Sequence, residues 1–158
     1  MSKLIKLAVT GVSGRMGQML VQTIAQSEVA MLVGAVEREG HAWVGQDLGV
    51  AMGGAATGLV VTQDAEAAIA DADAVIDFTA PSATLAFADF AATHGTAHII
   101  GTTGLTETDI AALAPASKGC VQMRAGNMSL GVNLLVQLTR QVAAALDEDF
   151  DIEVIEAH

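Results

Sequence analysis

Lys6-Leu7-Ala8-Val9-Thr10, followed at once by Gly11-Val12-Ser13-Gly14-Arg15-Met16-Gly17, is the stretch that decides the fold. The apolar run reads as a strand, and the glycines that end it open a helix in which Met16, Leu20 and Ile24 recur four residues apart on one face. In a strand–turn–helix unit of this kind each glycine has a physical task. Gly11 permits the tight turn, Gly14 lets a pyrophosphate approach the backbone, and Gly17 allows the helix to pack closely on the sheet; the helix N-terminus adds free N–H donors. The spacing is G-x-x-G-x-x-G, with Ser13 where the common G-x-G-x-x-G pattern has a glycine.

Working outward, further strand-like runs are expected at Met31–Glu37, Ala74–Phe78, Ala97–Ile100 and Val121–Ala125, with a weaker one near Leu59–Thr62. Helical stretches fall between them at Gly14–Ser27, Ala65–Ala70, Ser82–His94 and Glu107–Ala114, with start signals at Asp64, at Ser82 after Pro81, and at Thr106 ahead of Asp109. This alternation predicts an α/β chain with a doubly wound parallel sheet of Rossmann type. Residues 39–58 hold six glycines and no clear period, which reads as an ordered or mobile surface excursion. Asn133–Leu146 reads as an amphipathic helix and Asp151–Glu156 as a strand. They are taken as the opening of a second, truncated domain over 130–158, after a nucleotide-binding domain over 1–129.

Composition narrows the function. The chain has 158 residues, 52% of them hydrophobic and 3% aromatic, so Ala, Val, Leu, Ile and Met must build the core. A net charge of -11 with seven basic residues argues against a nucleic-acid groove, which needs clustered Lys and Arg. No signal peptide and no apolar run long enough to span a bilayer is visible, so the expected location is cytoplasmic. The single cysteine, Cys120, can neither form an internal disulfide nor complete a zinc site; it is expected to be a small buried hydrophobe, and no metal site is expected.

The second strand ends in Glu37-Arg38, twenty residues after Gly17. A carboxylate there would accept from the adenosine ribose, and a neighbouring guanidinium would pair with a 2′-phosphate or stack on adenine, so both NADH and NADPH are expected as cofactors. Three more loops follow strand ends: Asp77-Phe78-Thr79-Ala80-Pro81, Gly101-Thr102-Thr103-Gly104 and Gly126-Asn127-Met128-Ser129. Their small and hydroxylated residues suit the holding of a ribose and a carboxamide without competing charge.

Six segments in order resemble dihydrodipicolinate reductases: Val9–Gly17, Glu37–Gly40, Asp77–Thr79, Ile100–Gly104, Gly126–Asn133 and Glu153–His158. The resemblance implies that Gly11, Gly14, Arg15 and Met16 line the pyrophosphate, Glu37 the ribose, and Arg38 with Arg15 the 2′-phosphate. It places Phe78, Gly101, Thr103, Asn127 and Met128 around the nicotinamide, with Thr103 also toward the substrate. It implies reduction of a small dicarboxylate, 4-hydroxy-tetrahydrodipicolinate, on the route to diaminopimelate and lysine, by a cytoplasmic homotetramer. His158 resembles the first histidine of the family motif E-x-H-H-x-x-K-x-D-x-P-S-G-T, where histidine is implicated as proton donor. The lysine and S-G-T positions lie beyond His158, so this chain is expected to bind cofactor without turnover. His41, His94 and His98 match no such motif and are expected at the surface or in loops. The alternatives from the residues alone are a non-catalytic NAD(P)-binding sensor or another Rossmann reductase.

Overall fold

A computed structural model of the chain describes residues 3–146 and 148–155. The chain divides into two units, Met1–Ala125 and Gly126–His158. In the first, β1 (Ile5–Thr10), α1 (Arg15–Ala25), β2 (Ala30–Val36), α2 (Leu48–Ala51), α3 (Ala65–Ala70), β3 (Ala74–Asp77), α4 (Pro81–His94), β4 (Ala97–Ile100), α5 (Glu107–Leu113) and β5 (Gln122–Arg124) follow one another. The strands form one sheet in the order β2-β1-β3-β4-β5, parallel throughout. Both faces are covered: Val9 of β1 packs with Val21 and Ile24 of α1, while its neighbour Ala8 packs on the other side with Ile69, Val75 and Ala91. A strand buried on both faces must be apolar throughout, which is why these runs are continuous in the sequence.

The weak run Leu59–Thr62 contributes one parallel bridge, Thr62 to Val36, on the outer edge of β2. Thr62 N–H donates to the Ala35 carbonyl and Glu37 N–H to the Thr62 carbonyl, both at 2.9 Å. Counted as a strand, this bridge completes the 3-2-1-4-5-6 order of a dinucleotide-binding sheet. The chain reverses direction across the sheet at β1, so the ligand crevice of such a fold opens at the C-terminal end of β1.

One local expectation is narrowed and two change. The excursion over 39–58 is ordered around one carboxylate: Asp47 caps α2 by accepting from Gly49 and Val50 N–H, and it also accepts from Thr57 and Gly58 N–H. Leu48 and Trp43 then pack into the α1 side of the core. The helix expected from Ser82 starts at Pro81, whose fixed φ and missing N–H suit the first helical position. Cys120 is half-buried, packed against the cluster of Ile69, Val75 and Ala91.

The second unit contains α6 (Leu130–Ala145), one turn longer at its start than the sequence pattern because Ser129 Oγ accepts from Val132 N–H. Residues 151–155 form no ladder, although Asp151–Glu156 alternates as a strand does. A strand exists only through bonds to a neighbour, and no described segment provides one. Glu156 itself lies outside the described residues. No helix among the described residues is long and apolar enough to cross a membrane.

Candidate functional site

The glycine turn after β1 has the conformation its sequence demands. Gly11 has φ +67°, a region that favours glycine, and a Cβ there would meet Thr79 Cγ2 at 3.0 Å, so the loops after β1 and β3 touch. A Cβ on Gly17 would overlap the backbone of Gly11 and Val12, which explains the third glycine as a helix-packing residue. Gly14 is the N-cap of α1 and makes no side-chain cap bond. The N–H groups of Gly11 and Val12 donate to the Val36 carbonyl, that of Gly14 to the Gly11 carbonyl, and that of Ser13 to Glu37. The amides left for an anion are therefore those of the first helical turn, Arg15, Met16 and Gly17, which have no intrahelical acceptor. Arg15 and Met16 are exposed at that turn.

Glu37 follows β2 and is 7% exposed. Its Oε2 accepts from Ser13 N–H at 3.1 Å and from the Ser13 hydroxyl at 2.7 Å, and its Oε1 accepts from Arg38 N–H at 3.0 Å. Burial pushes this carboxyl up, but the bonds from Arg38 and Ser13 outweigh it and hold the group below the usual glutamate range. Arg38 is exposed beside it. Gly11, Val36, Glu37, Arg38, Glu39, Gln63, Ala65, Thr79, Ala80, Ala83 and Phe87 line a cavity of about 280 Å³. It has apolar walls, the carboxylates of Glu37 and Glu39 and the Arg38 guanidinium, and lies where the sheet places its ligand crevice.

Beneath the loops after β3 and β4 lies a network the sequence reading missed. Asp77, fully buried at the end of β3, accepts on Oδ1 from the hydroxyls of Thr10 at 3.1 Å and Thr79 at 2.6 Å. On Oδ2 it accepts from the Thr84 hydroxyl at 2.6 Å and His98 Nε2 at 3.4 Å. The Thr84 and Thr102 hydroxyls bond each other at 2.8 Å, and Thr79 N–H is shared between Thr102 Oγ and Asp77 Oδ1, both at 3.1 Å. Burial alone would raise the Asp77 carboxyl; the bonds from His98, Thr79 and Thr84 reverse that and hold it low. One carboxylate thus ties β1, β4, the start of α4 and two loops together.

His98 is therefore corrected: it is a fully buried strand residue, held by Asp77, and belongs to neither surface nor loop. Exposed His94 in the last turn of α4 lies 3.3 Å from Glu66, and His41 stands edge-on to Trp43 within the excursion. The signal for the network was present, since an aspartate in Ala74-Val75-Ile76-Asp77 and a histidine in Ala97-His98-Ile99-Ile100 interrupt strands buried on both faces.

Phe78 and Gly101 meet across this frame, because a Cβ on Gly101 would overlap the Phe78 ring. The glycine is thus the seat of the ring. Thr102 is buried in the network, while Thr103 beside it is exposed. The first unit therefore brings Gly11, Gly14, Arg15, Met16, Glu37 and Arg38 to one end of the sheet, with Phe78, Gly101 and Thr103 on the adjoining loops. Asn127 and Met128 belong to the second unit, where Asn127 Oδ1 accepts from Ser129 N–H at 2.8 Å ahead of α6. His158 lies outside the described residues.

Comparison with known proteins gives a consistent result. Residues 5–128 match the family described as dihydrodipicolinate reductase, N-terminus. The chain is 68% identical over 152 residues to a 4-hydroxy-tetrahydrodipicolinate reductase of Ruegeria sp. (strain TM1040), covering 96% of this chain and 56% of that protein. It is 58% identical over 158 residues to the protein of that name from Dinoroseobacter shibae, covering 59% of it. The chain spans somewhat more than half the length of these relatives. Among solved structures, the dipicolinate-bound dihydrodipicolinate reductase from Paenisporosarcina sp. TG-14 superposes with a TM-score of 0.67 at 23% identity, over 90% of this chain and 54% of that one; this likeness speaks for the fold.

Proposed function

Since this chain belongs to the family of dihydrodipicolinate reductase N-terminal domains, we propose that it holds NADH or NADPH as the cofactor-binding part of a 4-hydroxy-tetrahydrodipicolinate reductase. One observation carries the reading. Glu37 and Arg38 stand together at the C-terminal end of β2, in a cavity that also contains Gly11 of the turn that opens α1. The pyrophosphate is held by Gly11, Gly14, Arg15 and Met16, the ribose by Glu37, and a 2′-phosphate by Arg38 with help from Arg15. Phe78, Gly101 and Thr103 surround the nicotinamide, which when bound supplies the hydride. The role of this chain is to bind and orient: buried Asp77 fixes the backbone of the loops that carry Phe78 and Thr103.

The substrate of that reductase is a small dicarboxylate on the route to diaminopimelate and lysine, with Thr103 as one partner and His158 as proton donor, in a cytoplasmic homotetramer. Turnover requires, besides the cofactor, residues that grip the dicarboxylate and position its acceptor carbon.

Titration calorimetry with NADH and NADPH tests the cofactor site. Both bind; Arg38→Ala weakens NADPH more than NADH by about 1–3 kcal/mol, as a lost charge-assisted bond requires. Equal losses reject the 2′-phosphate role. Gly14→Val abolishes binding of both while the fold survives, since the side chain occupies the path of the pyrophosphate.

A further inference from the structure

Resting on that reading of the cofactor site, we propose that Ser13 determines its tolerance for both nucleotides, by turning one oxygen of Glu37 into the glycine loop and leaving the carboxylate a single acceptor for the ribose. The argument is a count of lone pairs. An ionised carboxylate offers about four acceptor sites, two on each oxygen. Ser13 N–H and the Ser13 hydroxyl fill both on Oε2, and Arg38 N–H takes one on Oε1. One remains. With so little of the residue exposed, Glu37 cannot swing out without giving up these bonds.

The consequence concerns the 2′ position. A free carboxylate would accept from both ribose hydroxyls and stand against a 2′-phosphate, where like charges are costly. A carboxylate clamped from below by Ser13 holds one hydroxyl only, and the second position is left to the exposed Arg38 guanidinium. A glycine at position 13 would keep the N–H bond at 3.1 Å but lose the shorter hydroxyl bond at 2.7 Å. The departure from the usual glycine spacing thereby has a chemical task. Arg38 attracts the phosphate, and Ser13 restrains Glu37, one of the two carboxylates that line the cavity with it.

The test is Ser13→Ala against Ser13→Thr, which keeps the hydroxyl, with NADH and NADPH dissociation constants measured on the whole chain and folding confirmed by thermal melting. In Ser13→Ala the Kd for NADPH rises about tenfold while that for NADH changes less than about threefold, as one released charge facing a phosphate requires. Ser13→Thr restores the wild-type ratio. A second measurement needs no nucleotide: carboxyl-carbon NMR titration shows the Glu37 pKa rising in Ser13→Ala, because a bond to the ionised form is lost. An unchanged NADPH-to-NADH ratio, or equal weakening of both, overturns the proposal while leaving the cofactor site intact. If the wild-type chain binds neither nucleotide, the reading of the site falls and takes this role with it, although the NMR titration still reports whether the clamp exists. An unmoved Glu37 pKa overturns the clamp itself.

Discussion

Helix α1 of the first unit and helix α6 of the second carry the same kind of sequence, apolar residues at helical spacing, yet they end differently. Val21 and Ile24 of α1 are buried against the sheet, whereas α6 buries no residue and leaves Leu134, Leu135, Leu138 and Val142 exposed. An amphipathic stripe tells where a helix will form and which face seeks cover, but it does not supply the cover. In the first unit the sheet supplies it, and β1 divides the core into two clusters on its two faces. Stability should accordingly be concentrated in the first unit, above all where polar groups are buried among apolar ones.

The largest expected effect is at Asp77. Asp77→Ala removes the acceptor that serves Thr10, Thr79, Thr84 and His98, leaving those donors buried without it. Breaking a buried charged network in this way costs about 3–5 kcal/mol, read from urea unfolding followed by circular dichroism. A loss under about 1 kcal/mol would show that the first unit does not depend on this node. The same variant should weaken nucleotide binding, since the loops after β3 and β4 lose their common anchor.

A pair of truncations sharpens the contrast between units. Ile69, fully buried between β1 and α4, should cost about 2–5 kcal/mol on replacement by alanine. Leu138 of α6, 49% exposed, should cost less than about 0.5 kcal/mol in this chain. Comparable losses would mean that α6 is covered in solution.

The same contrast governs how far the sequence could be read. The parallel strands were legible because burial on both faces forces unbroken apolar runs, and the glycine turn because each glycine answers a steric demand. His98 reads as a surface or loop residue because it matches no site motif, although it stands in a run expected to be buried on both faces; its partner Asp77 lies on another strand. Asp77 was seen only as part of a loop that follows a strand, since its partners Thr10, Thr84 and His98 come from three distant segments. The sequence leaves open whether residues 39–58 are ordered or mobile, because a single carboxylate, Asp47, creates their order and no periodicity records that. Residues 151–155 show the converse: an alternating pattern without a neighbouring strand remains a pattern. In the sequence Ser13 shows only as a missing glycine, and its bond to Glu37 depends on β1 and β2 lying side by side.

Acid is expected to have a smaller effect than the Asp77 truncation. Asp77 is held below the usual aspartate value of 3.8, so its ionised form is favoured in the folded state over the unfolded one. Such a group contributes stability that is fully present above about pH 4–5, where the unfolded carboxyl is ionised, and is lost as pH falls through its lower folded value. Protonation should cost less than Asp77→Ala, because it removes charge and some acceptor capacity but leaves the side chain filling its place. Stability should therefore be flat in this contribution between pH 7 and 5 and decline below about pH 4. Glu37, Asp47, Asp73 and Asp109 are also held low and share that decline, so the Asp77 part must be isolated by difference. Urea unfolding of the wild type and of Asp77→Asn, repeated from pH 7 to 3, isolates it: the variant cannot titrate at this position, and the gap between the two should narrow as pH drops. A gap that stays constant to pH 3 would mean that the buried carboxylate holds its proton equilibrium equally in folded and unfolded chains, and the loops after β3 and β4 would then owe their order to the threonine hydroxyls and not to charge.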